Sequence, residues 1–168
     1  MNEETIYKEL GRSVVLFQYL ESLIYQISHF LLDVNRRQSS RIALDALSFA
    51  KLRDVSEVIL AEVLKEKNVE DCETLINRYH QLMQDARELG NIRNKLVHSA
   101  YLHLESSGEL WKIVRISASL KTKGKPHRKI EHDDLDDNSF SDFQKKCAKL
   151  YFSLGQFKTQ LFHIVHRG

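Results

Sequence analysis

One proline and six glycines interrupt 168 residues. Punctuation this sparse leaves little room for the turns of an all-β fold and favours long helices. The apolar residues agree. Over residues 3–34, Ile6, Leu10, Val14, Phe17, Ile24, Ile27 and Leu31 recur at helical steps. Val15, Leu16, Leu20 and Leu23 widen that stripe past one face, which predicts a central helix with neighbours on several sides. A polar connector, Asn35 to Ser40, follows, and Ile42 to Leu47 is short and ambiguous. Ser48 is placed to cap a second helix running to about Lys67, with Leu52, Val55, Ile59 and Val63 as its apolar stripe and Val58 and Leu64 alongside; Asn68 ends it.

A third helix is predicted from about Glu70 to His98. Its stripe is Leu75, Tyr79, Leu82, Ala86, Leu89, Arg93 and Leu96, in alternating steps of four and three. Arg93 thus stands where the pattern calls for an apolar residue, and a charge there is costly unless paired or functional. The period then changes. Tyr101 to Leu104, a Ser106-Ser107-Gly108 turn and Trp111 to Ile116 suggest a β-hairpin or irregular arm. Lys121 to Asn138 is charged, carries Gly124 and Pro126, and reads as a loop. Ser139 or Ser141 would cap a last helix ending near His166, with Phe143, Cys147, Leu150, Leu154, Phe157, Leu161 and Ile164 inward. The expected fold is a single all-α domain over 1–168, a bundle of four to five helices with a small arm before the last.

Hydrophobic residues at 42% and charged residues at 29% are ordinary for a globular protein, and a net charge of +2 does not indicate a globally basic nucleic-acid binder. The charges are nevertheless segregated. Lys112, Arg115, Lys121, Lys123, Lys125, Arg128 and Lys129 precede Glu131, Asp133, Asp134, Asp136, Asp137 and Asp142. The basic run suits phosphate; the plainer reading is a solvated hairpin and loop. Cys72 and Cys147 are too far apart for a disulfide framework or a zinc pattern, which fits a reducing, cytoplasmic setting. The start, Met-Asn-Glu-Glu-Thr, does not read as a signal segment. The most apolar stretch, Ser13 to Leu32, is broken by Gln18, Glu21, Gln26 and His29, so no membrane partner is expected. His163 and His166 lack a nearby acid or thiol to complete a metal site, and no cofactor is expected.

The segment from Asn91 to Tyr101 carries the chemistry. Arg93, then Asn94, Lys95, Leu96 and Val97, then His98, resembles the signature of the HEPN superfamily: an Arg, four to six residues, and a His at the end of a long amphipathic helix. The Asn directly after the Arg and the apolar pair before the His are also typical, as is the helix order. No other Arg in the chain has a His at the permitted spacings. The resemblance implies a metal-independent endoribonuclease acting on RNA as a homodimer, with paired motifs lining a cleft between protomers. Its usual setting is the toxin of a toxin–antitoxin or abortive-infection system. The cognate antitoxin could be a minimal nucleotidyltransferase, which in such pairs adds AMP to a Tyr one residue removed from the His. Here Ser99 and Ala100 both separate His98 from Tyr101. The plainer reading of Tyr101 is a packing aromatic.

The residues support those roles on their own terms. Arg93 can hold phosphate oxygens through its planar fork and stabilise charge developing on phosphorus. His98 can act as general acid or base. Asn94, four residues before His98, is placed to hydrogen-bond the imidazole and fix its tautomer. Arg93 and His98 are five apart, so a regular helix points them about 140° apart. A single chain therefore unites them only if the helix end unwinds. Lys95, Lys121, Lys123, Lys125 and Lys129 are candidate RNA contacts. The same residues also fit a non-catalytic HEPN interaction or nucleotide- or RNA-binding module, or a plain helical dimerisation domain. In those readings Arg93 pairs with Glu21 or Glu88.

If the basic run holds RNA, replacing Lys121, Lys123, Lys125 and Lys129 with Gln weakens binding. It also flattens the plot of log affinity against log salt, by about one unit for each phosphate no longer neutralised. A titration with an unaltered slope assigns the run to solvated surface.

Overall fold

In a computed structural model the backbone is described over residues 3–34, 44–102, 112–119, 127–134 and 137–167, with side chains described within 4–32, 44–99 and 138–165. Four helices are present among these residues: α1 (Glu3–Val34), α2 (Phe49–Glu66), α3 (Cys72–Val97) and α4 (Asp137–Arg167). None is long and apolar enough to cross a membrane.

Helix α1 packs against each of the other three helices, and α3 also packs against both α2 and α4. Its buried set, Ile6, Phe17, Leu20, Leu23, Ile24, Ile27, Leu31 and Leu32, is wider than one stripe, as the sequence predicts, whereas Val15 is exposed. The two buried hydroxyls of α1 are satisfied within the helix, Ser13 donating to the Glu9 carbonyl and Ser28 to the Ile24 carbonyl. α4 runs parallel to α1. Gln144 donates to Glu9 Oε2 at 2.8 Å, Lys158 donates to Gln26 Oε1 at 2.7 Å, and Phe30 lies against Phe162. The α4 stripe is Phe140, Phe143, Cys147, Leu150, Leu154, Phe157, Leu161 and Val165, with Ile164 only half-buried. Burial pushes the Cys147 thiol up to about 12, so it stays protonated and serves as packing.

The face α2 presents to the core differs from the expected one. Val55 and Val58 are exposed, while Arg53, Ser56 and Leu60 are buried. The reason lies on α3. Tyr79 is fully buried, stacked at 5.0 Å on Phe157, and its phenol needs an acceptor. It donates to Ser56 Oγ at 3.2 Å, and Ser56 donates to the Arg53 carbonyl at 2.7 Å. Burial raises the Tyr79 phenol above its ordinary range, so it remains a donor. Ser48 is the N-cap of α2 but its side chain makes no capping bond. Ser139 and Ser141 lie inside α4, which starts at Asp137, and do not cap it.

α2 and α3 are antiparallel, joined by a turn containing two non-glycine residues of positive φ, Asn68 at 49° and Asp71 at 57°. Asn and Asp tolerate this region best. Asn68 N–H donates to the Lys65 carbonyl and Val69 N–H to the Leu64 carbonyl, both at 3.0 Å, the paired bonds of a Schellman termination.

Between α3 and α4 the described backbone holds three antiparallel strands, β1 (Ala100–Leu102), β2 (Lys112–Ser119) and β3 (His127–Asp134), in that order across the sheet. The loop expected over Lys121 to Asn138 is therefore corrected at His127–Asp134. Its charge masked the strand, since the register sets Lys112 opposite Asp134 and Arg115 opposite Glu131, residues of opposite sign. The connector 35–40 and the turn Ser106-Ser107-Gly108 lie outside the described residues.

Asn68→Gly should retain or raise the melting temperature. Asn68→Ala, which places a Cβ at positive φ without a compensating side chain, should cost about 1 kcal/mol. For a chain of this size that is about 2–4 °C. Equal melting temperatures for the two variants would remove the left-handed turn from the account.

Candidate functional site

The α3 stripe is interrupted as the sequence predicts. Leu75, Tyr79, Leu82, Ala86, Leu89 and Leu96 are buried, together with Met83 and Gly90, and Arg93 is half-buried among them. What holds Arg93 is an aromatic wedge. Gly90 is fully packed, and a Cβ built on it would stand 3.1 Å from the Phe49 ring. The missing side chain lets Phe49, the first residue of α2, dock against α3. Phe17 from α1 meets Phe49 edge-on with centroids 4.8 Å apart. The Arg93 guanidinium carbon lies 5.8 Å from the Phe17 ring centre, within cation–π range.

Among the described residues no carboxylate pairs with Arg93. Its Nη1 donates to Asn94 Oδ1 at 3.1 Å, and its Nε is closed off from solvent without a hydrogen-bond partner. An unsatisfied buried donor costs about 1–3 kcal/mol. Neither acid considered as its partner fills that role. Glu21 lines the same cleft without an ion pair, and Glu88 lines a different one, with Lys146 and Lys149.

The cleft at Arg93 has a volume of about 340 Å³ and lies between α1, the start of α2 and α3. Phe17, Phe49 and Gly90 form its apolar part, and Arg53, Arg87, Arg93, Asn91, Asn94, Ser48 and Glu21 its polar part. Three arginines and one acidic residue, Glu21, thus line the cleft. The Arg53 side chain is only 10% exposed, and both its Nε and its Nη2 donate to Asp54 Oδ1, at 3.2 and 2.7 Å. Sequence reasoning missed Arg53 and Arg87. Gly90 was the available signal, because a glycine in a helix interior costs about 1 kcal/mol and needs a packing reason. Nothing in the local pattern marks Arg53 as buried.

His98 does not line this cleft. α3 stays regular through Val97, and His98 is its exposed C-cap residue, with its N–H donating to the Asn94 carbonyl at 3.0 Å. The helix end does not unwind early enough to turn the imidazole towards Arg93. The expected Asn94–imidazole bond is not formed; Asn94 Oδ1 accepts instead from the adjacent guanidinium, a charged donor. Lys95 is exposed in the last turn of α3, where a cation is favoured by the helix dipole. The Tyr101 backbone lies in β1 opposite Ile113, and its side chain is outside the described residues. Lys121, Lys123 and Lys125 are also outside them, and Lys129 is placed only by its backbone in β3, opposite Ser117. His163 is exposed, and among the described residues no three His, Cys, Asp or Glu groups are gathered to hold a metal ion.

Arg93→Leu should keep or raise the melting temperature. It continues the apolar stripe and removes the unsatisfied Nε, about 1–3 kcal/mol, against a ring contact of about 0.5–2 kcal/mol. A fall of more than about 4 °C, roughly 1–2 kcal/mol in a chain of this size, would make Arg93 a structural residue instead.

No family model, curated protein or solved structure matches the chain. The residues of the cleft carry the functional reading on their own.

Proposed function

We propose that this chain is a metal-independent endoribonuclease of HEPN type, the toxin of a toxin–antitoxin or abortive-infection system, whose active site is completed across a homodimer. The observation that carries the reading is Arg93. It is a half-buried guanidinium on an apolar stripe, supported by Phe17, without a carboxylate partner among the described residues, in a cleft lined by two further arginines. A half-buried guanidinium without a counter-charge is costly unless an external anion completes it.

In the proposed reaction Arg93 holds the non-bridging oxygens of the scissile phosphate. A ribose 2′-hydroxyl loses its proton and attacks phosphorus. The bond to the 5′-oxygen breaks, that oxygen is protonated, and a 2′,3′-cyclic phosphate remains on the upstream fragment. His98 moves one of these protons. Because His98 lies away from the cleft within one chain, the imidazole that serves a given Arg93 belongs to the partner subunit. The HEPN-type bundle and its hairpin arm are part of this same proposal.

The position of His98 favours one second reading, a non-catalytic nucleotide- or RNA-binding module that grips phosphate in the cleft and does not cut. Purified protein and a ribonucleotide oligomer separate the two. Cleavage should survive EDTA, leave cyclic phosphate ends and fall by about 10²–10⁴ in His98→Ala. Arg93→Ala should be equally inactive. Mixing and re-equilibrating the two dead variants should restore about a quarter of wild-type activity, since half the dimers are mixed and each has one intact pair. Wild-type cleavage by His98→Ala refutes the site, and mixtures that stay dead refute its division between subunits.

A further inference from the structure

We infer that the cleft between α1, the start of α2 and α3 binds the RNA backbone with Arg53 and Arg87 as well as Arg93, holding phosphates of one strand beside the scissile one. The inference rests on the ribonuclease reading for the identity of the strand, and on the cleft alone for its affinity for phosphate.

Three independent features converge there. The first is charge. Arg53, Arg87 and Arg93 come from two helices and share a cavity whose single lining carboxylate is Glu21. Arg53 is nine-tenths buried, and its counter-ion Asp54 has a side chain 67% exposed, so solvent weakens the neutralisation while the guanidinium stays in the cleft wall. The second is the N-terminus of α2. Ser48, Phe49 and Ala50 line the cleft. The Ser48 side chain makes no capping bond, and the first turn of this 18-residue helix contains no acidic residue. Among the described residues no side chain caps its first N–H groups, which with the positive end of the helix dipole suit an external anion. The third is Arg93 itself, which no carboxylate pairs with among the described residues and whose Nη1 is occupied only by the neighbouring Asn94. Phosphate oxygens offer the guanidinium the charged acceptor that no described residue provides.

Size selects the ligand. A volume of about 340 Å³ is too large for a lone anion and lies at the low end for small-molecule sites, which suits a phosphate with its sugar. The spread of three arginines over two helices suits consecutive phosphates of a strand better than one monoester. Positioning follows from this division. Arg93 sits nearest the end of α3 that leads to His98, and Arg87 lies six residues earlier on the same helix. A strand gripped at Arg53 and Arg87 is thereby held in register, with its next phosphate at Arg93.

The test is binding of a 2′-O-methyl RNA decamer, which the proposed reaction cannot cleave, by isothermal titration calorimetry across a salt series. AMP and inorganic phosphate serve as smaller probes, and cleavage of the unmodified decamer is followed in parallel. Arg87→Gln should weaken decamer binding at least tenfold and lower the salt slope by about one. Arg53→Gln should do the same. If it unfolds, Arg87→Gln and the charge-conserving Arg53→Lys decide, the latter binding more weakly than wild type at an unchanged salt slope. Phosphate and AMP should compete only at millimolar concentration. If wild type cleaves RNA while Arg87→Gln binds and cleaves as wild type does, the cleft assignment is overturned and the ribonuclease reading stands. If wild type does not cleave, yet binds the decamer in an Arg87-dependent way, the cleft stands and the ribonuclease reading falls. AMP binding as tightly as the decamer overturns the strand as the occupant.

Discussion

Helix α1 carries apolar side chains round more of its circumference than one neighbour can cover, and leaving them in water is unfavourable by about 25 cal/mol per Å². Three helices must therefore close over it, and they do. The remaining placements follow. α4 lies parallel to α1 through Gln144 and Lys158, and α3 fills the space between α2 and α4. α2 is brought in at its first residue, Phe49, which meets Phe17 of α1 and the bare backbone of Gly90 on α3 at one point. The three helices that form the cleft are in contact at that point, so the same packing that covers α1 also builds the walls of the site.

Much of this was legible in the chain, for reasons that can be assigned residue by residue. α1 was readable to its ends because its period is long and little interrupts it. The α3 stripe was readable with Arg93 as its exception, and the structure keeps both. The face of α2 was not, since hydropathy alone prefers Val55 and Val58 to Ser56. The buried phenol of Tyr79 reverses that order, because a buried donor without an acceptor is worse than a buried serine with two partners. β3 was hidden by charge. A period-based reading treats charged stretches as loop, whereas register against β2 depends on which residues stand opposite.

At the site, the motif was visible and its surroundings were not. The HEPN-like motif along α3 makes Arg93, Asn94 and His98 candidates, but Arg53 and Arg87 join Arg93 only when α2 is laid against α3. The tertiary partner also changed a local expectation. Asn94 and His98 do share a helix face, yet Asn94 Oδ1 is taken by Arg93, which the Phe17 ring holds nearby. A local i to i+4 pairing rule gives way when a charged donor is held in place by packing from another helix.

The regularity of α3 has a further consequence for how such a protein can act. A helix that stays intact to Val97 separates Arg93 from His98 by its own geometry, about 140° around the axis. Bringing them together within one chain would require breaking the last turn, and Leu96, buried in the core, opposes that. The proposed phosphate-binding and proton-transfer groups thus lie on different sides of one helix. On the proposed reading, a single chain holds the nucleic-acid backbone in the cleft at Arg93. On the ribonuclease reading, the means to cut it arise only when a second α3 is presented from outside. Association of two chains, and not any rearrangement within one, is then the step that turns a phosphate-binding bundle into a catalyst.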